Sequence, residues 1–143
     1  MPSTAGTLRT AQQIVSQYGL TDLDNSTFFT DSEGHFDPIG AVYRAATGET
    51  PDSFRTDVVQ ALALIRANAE VMNALAWIST VLPTEAPTDS TGADDHVEHI
   101  SAWFTSPDFF LGRHPGEADV IEVLGRAAQA ADALTAFPSQ RVA

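Results

Sequence analysis

The chain contains no cysteine, which removes disulfide frameworks, thiolate zinc sites, iron-sulfur ligation and cysteine nucleophiles. It also contains no lysine, so all seven basic positions are arginine. No Walker A motif and no Schiff-base amine can therefore be built, and every fixed positive contact must come from a guanidinium. No run approaches the roughly 18 consecutive apolar residues of a membrane span, and the opening residues MPSTAGTLRT lack the apolar segment of a secretory signal. A cytoplasmic location with no membrane partner is the expectation.

Against seven arginines stand nineteen acidic residues, for a net charge of -12. Such a field disfavours direct binding to nucleic acid or to an anionic membrane within a Debye length of about 8 Å. Abundant Ala, Arg and Thr without Lys is the usage of a high-GC coding sequence, which points to an actinobacterial chromosome or a phage of such a host. The charged fraction is 18% and the hydrophobic fraction 43%, a globular composition. At 143 residues, one core suffices, and a chain of this size buries roughly two thirds of its unfolded surface.

Apolar spacing predicts a first helix from Thr7 to Tyr18, with Leu8, Ala11, Val15 and Tyr18 on one stripe and Gly19 as its stop. Asp37 as N-cap, Pro38 at the first helical position and Gly48 at the end mark a second helix. From Pro51 to Leu82 a 3.6-residue period runs through Phe54, Val58, Leu62, Ile65, Ala69, Met72 and Ala76. One helix of about thirty residues would be long for a globular protein, and Asn68 favours a break within residues 67–70. A further helix is expected over Asp95 to Phe104, with Val97, Ile100, Trp103 and Phe104 inward. A last one carries Val120, Leu124, Ala127, Ala131 and Leu134. Between Leu20 and Phe36 the period is lost, and residues 27–36 have the pattern of one short β-hairpin, with a packed loop as the alternative. Residues 83–95, PTEAPTDSTGADD, have no apolar face and read as a mobile acidic surface loop. The expected fold is mainly α, a compact bundle of five or six helices in a single domain over residues 1–143.

The strongest chemical pattern is Asp94-Asp95-His96-Val97-Glu98-His99. His96 and His99 fall three residues apart on one helix and with His114 form a candidate metal set. The sequence matches neither H-E-x-x-H nor H-x-x-E-H, however, and acids at a helix start also complement the helix dipole. No G-x-S-x-G elbow and no G-x-G-x-x-G loop is present. No cofactor is therefore expected. Adjacent aromatic residues, Phe28-Phe29, Trp103-Phe104 and Phe109-Phe110, cannot all point into one core, so a protein contact is one use for them and loop sealing the other.

The segments SEGHFDPIGAVYRAATG and RHPGEADVIEVLGRAA, together with Tyr18-Gly19 and Gly40-Ala41, resemble a small uncharacterised domain family found in actinobacteria and their phages. The final helix is similar in its acidic-apolar entry and in Leu124-Gly125-Arg126-Ala127. The resemblance spans most of the chain and implies no activity.

These features favour a non-enzymatic accessory protein that acts by binding a protein partner or forming a homo-oligomer. Asp94, Asp95, Glu98, Trp103, Phe109 and Phe110 are the candidate contact residues. The alternatives are a metal-binding bundle using His96 and His99, and a phage-type inhibitor whose carboxylates stand in for nucleic-acid phosphates.

Overall fold

A computed structural model describes residues 3–21, 29–107 and 112–136. The first helix, α1 (Thr4–Tyr18), starts earlier than its apolar stripe, because the Ser3 side chain caps the Gly6 N–H. It buries Leu8, Ala11 and Val15, while Tyr18, expected inside, is 45% exposed at the helix end. Helix α2 (Pro38–Thr47) begins and ends as its punctuation dictates: the Asp37 carboxylate accepts the Gly40 N–H, and Gly48 takes the left-handed conformation with φ 75°. The expected hairpin is reduced to one antiparallel bridge, Thr30 with Phe36, around a turn in which Asp31 Oδ1 accepts the N–H groups of Glu33 and His35. Residues 27 and 28 lie outside the described residues.

The long periodic stretch is three helices: α3 (Ser53–Thr56), α4 (Val58–Ala67) and α5 (Ala69–Val81). Asp57 caps α4 through the Gln60 N–H, and Asn68 caps α5 through the Val71 N–H. Both cap residues have extended backbone, which a continuing helix does not allow. Each restart also resets the helical phase. The single stripe read from the sequence therefore does not exist: Phe54 and Ile65 are buried, but Val58 is exposed, Leu62 and Met72 are half-buried, and α5 buries Val71, Ala74, Leu75 and Ile78 instead.

Helix α6 (His96–Thr105) buries Val97, Ile100 and Phe104, with Trp103 half-buried. Helix α7 (Glu117–Ala136) buries Val120, Leu124, Ala127 and Ala131, and leaves Leu134 exposed. Asp119 caps the start of α7 by accepting the Gly116 N–H and pairs with Arg113 at 2.7 Å. The helices form a bundle: α1 packs on α7 and α2, and α5 packs on α7, α6, α2 and α1. No helix among the described residues is long and apolar enough to cross a membrane.

The start of α2 is the tightest junction. The Asp37 N–H donates to the Phe29 carbonyl at 2.9 Å, and a Cβ placed on Gly40 would lie 2.4 Å from that same carbonyl oxygen. Only glycine lets the helix approach the loop this closely. Gly40→Ala is expected to destabilise the protein by about 1–3 kcal/mol, the range for overpacking, read as a lower midpoint in urea. Burial pushes the Asp37 carboxyl up to about 8, against the pull of the Gly40 and Ile39 N–H groups. The folded state therefore holds a proton that the unfolded chain releases near pH 3.8, so this group's contribution to stability is complete below that pH and is lost as pH rises to about 8. Asp37→Asn, which keeps an acceptor for the cap, is expected to show a shallower fall in melting temperature over that range than the native chain.

Candidate functional site

Helix α4 has the sequence VVQALALIRA, in which only Gln60 and Arg66 are polar. Its only buried residues are Ala61 and Ile65. Val59 is 75% exposed and Val58 41%, Ala63 is exposed, and Leu62 and Leu64 are half-buried. The reason is positional: α4 packs chiefly on α3 and α5 at the edge of the bundle, so one narrow face is covered and the rest of an almost wholly apolar helix meets solvent. A helix apolar on all sides ordinarily lies inside a protein, and an exposed contiguous apolar face marks an interaction site.

The C-terminal end of α4 lies beside the acidic loop. Arg66 approaches Asp95 at 3.7 Å and helps to hold the Asp89 carboxyl below its ordinary value, behind the larger effects of the Thr91 hydroxyl and of the Thr91 and Ala93 N–H groups. Those same bonds shape the loop. Asp89 Oδ1 accepts from Thr91 N, Thr91 Oγ1 and Ala93 N, Thr88 bridges Asp94, and the Asp95 N–H donates to the Pro87 carbonyl at 2.7 Å. Glu85, Asp89, Asp94 and Glu98 are exposed. Asp95 is half-buried because its carboxylate caps α6 through the Glu98 N–H. At the other end of α4, Asp52 and Asp57 are exposed. The apolar helix thus has acids at both ends.

The three candidate metal-binding histidines are not brought into one site. His99 is 3% exposed, and both its ring nitrogens are engaged, Nδ1 with Ser79 Oγ at 2.6 Å and Nε2 with Thr84 Oγ1 at 2.8 Å. His96 is half-buried, with an Nδ1 that has no hydrogen-bond partner among the described residues. His114 is exposed ahead of α7. Among the described residues no three His, Asp or Glu side chains form a group able to hold a metal ion. Of the aromatic candidates, Trp103 lies half-buried against the core, and Phe109 and Phe110 are outside the described residues.

The α4 face went unread in the sequence because Val58 and Leu62 were assigned to the core. The signal was the adjacent pair Val58-Val59 with Leu64, which no single 3.6-residue stripe can bury. His99 instead serves as a pin between α5 and α6. Burial holds its pKa below the usual value, aided by the neighbouring His96 and opposed by Thr84 and Asp94. Its contribution to stability is therefore present above the ordinary histidine pKa near 6.5 and is lost as pH falls through the lower folded-state value. Compared with the native chain, His99→Gln is expected to be less stable at neutral pH, and that difference in melting temperature is expected to shrink as the pH is lowered below about 6.5.

Comparison with curated proteins gives no match, and comparison with solved structures gives none. The model of a family of unknown function, DUF6197, matches residues 1–130, nearly the whole of the chain and all of the bundle as far as the body of α7. By that match the chain belongs to the DUF6197 family.

Proposed function

We propose that this protein is a non-enzymatic accessory protein that binds a protein partner through α4. The observation that carries this reading is the exposed apolar side of α4, centred on Val59 at 75% exposure, flanked by Asp52, Asp57 and the acidic loop. The arrangement matches the general plan of a protein interface, an apolar centre with a polar rim. The partner that fits is an amphipathic helix or strand with an apolar face and basic flanks. A second copy of the chain fits less well, because each would bring a net charge of -12 to the contact. The apolar helix also separates this reading from charge mimicry of nucleic acid, for which acids alone would serve. Asp94 and Glu98 act here as rim charges that steer the encounter and exclude wrong partners, and Asp95 as the fixed end of the acidic segment.

The test uses a synthetic amphipathic Leu/Lys helix as the probe, with the full chain titrated by calorimetry. Saturable binding is expected, weakening as salt is raised. Val59→Asp is expected to weaken it at least tenfold, or about 1.4 kcal/mol, without changing the far-ultraviolet circular dichroism or the melting temperature. Equal affinity in Val59→Asp, or self-association through α4 in sedimentation equilibrium, overturns the reading.

A further inference from the structure

On another part of the surface, a groove of about 380 Å³ opens between the end of α1, the turn over residues 30–36, the last turn of α2 and α3. Its volume falls within the roughly 300–1,000 Å³ of small-molecule sites. Tyr18 and Phe36 line it, their rings packed at 5.7 Å between centroids and tilted by 58°. Phe36 is buried and Tyr18 is 45% exposed, so the pair offers a supported aromatic wall. Arg44 and Arg55 also line the groove, two of the seven arginines in a strongly acidic chain.

The hydrogen-bond balance in the groove favours an incoming acceptor. Arg44 forms no ion pair with a described carboxylate; it donates through Nη1 to the Gly48 carbonyl at the end of α2, and the rest of its fork has no hydrogen-bond acceptor among the described residues. Arg55 pairs with Asp52 only at 3.5 Å, and the Asp52 side chain is 93% exposed, a contact of little worth against solvent. Asp31, the other acid of the lining, is already saturated: Oδ1 takes the Glu33 and His35 N–H groups and Oδ2 meets His35 Nδ1 at 2.8 Å. Although partial burial pushes its carboxyl up, those bonds hold it below its ordinary value.

The geometry points to a binding site for a small molecule that carries an oxyanion on a flat ring, the oxyanion meeting Arg44 and Arg55 and the ring lying along Tyr18 and Phe36. Guanidinium forks suit phosphate and carboxylate alike, so nucleoside monophosphates and aromatic carboxylates share the required chemistry. Asp52 lies at the edge of both surfaces, but no residue of α4 lines the groove, and neither function needs the other.

The test is calorimetric titration of the full chain with adenosine 5′-monophosphate, phenylacetate, adenosine and inorganic phosphate. Binding of adenosine 5′-monophosphate or of phenylacetate is expected, and which of the two binds identifies the source of the oxyanion. Adenosine and inorganic phosphate, each with half of the required chemistry, are expected to bind at least about tenfold more weakly than the nucleotide. Arg55→Gln and Tyr18→Leu change exposed side chains and are each expected to weaken binding about tenfold at unchanged melting temperature, whereas Val59→Asp leaves it unaltered. Arg44→Gln is expected to have the larger effect on affinity; because it also removes a bond at the end of α2, Arg55→Gln is the deciding variant. No binding of either oxyanion, adenosine binding as tightly as its monophosphate, or undiminished binding in Arg55→Gln overturns the proposal.

Discussion

The contact between Gly40 and the Phe29 carbonyl is the constraint on which the upper part of the molecule depends. Because no side chain intervenes, α2 can start directly against the chain that precedes it, with Asp37 buried in the junction. From that fixed point the turn over residues 29–37 reaches two other elements, the end of α1 and α3. The Phe36 N–H bonds the Gly19 carbonyl at the end of α1, the Thr21 N–H returns to the Phe36 carbonyl, and the Thr30 N–H meets the Phe54 carbonyl in α3 at 3.4 Å. Phe54 completes the junction, with its ring 5.5 Å from that of Phe29 and 4.9 Å from that of Tyr43. A short segment with almost no regular secondary structure thereby holds the ends of three helices in register.

The opposite device governs α4. Its two flanking caps, Asp57 and Asn68, interrupt the helix on both sides, and the interruptions turn apolar positions outward that an unbroken helix would have kept on one face. The apolar exposure therefore follows from local backbone chemistry, from side chains that offer a carbonyl or carboxylate oxygen to a free N–H group. The same chemistry, with Asp89 as acceptor, shapes the acidic loop beside it.

Helix punctuation was legible in the sequence where the signals were redundant. Asp37, Pro38 and Gly48 each specify an end of α2, and all three serve as read. The break at Asn68 was legible from one residue, but its effect on phase was not, because apolar periodicity counts residues and cannot see a cap that resets the count. Asp57 was missed for a related reason: it lies inside the periodic stretch from Phe54 to Ala76 and looks like an ordinary exposed acid. His96 and His99 were correctly placed at the start of one helix. Which way the His99 ring faces is decided by Ser79 and Thr84, residues about twenty and fifteen positions away that carry no motif. The groove beside Tyr18 gave no sequence signal, since its wall and its arginines come from α1, a turn, α2 and α3.

The uncovered apolar side of α4 has a consequence for the protein as a solute. Molecules that expose Val58, Val59 and parts of Leu62 and Leu64 attract one another at short range, and their large like charge holds them apart at longer range. Colloidal behaviour then follows the carboxylates. Acidification towards the isoelectric point near 4.3 protonates carboxylates and removes the repulsion without altering the sticky helix. The acidic excess thus acts as a solubility coat for a surface that the fold leaves bare.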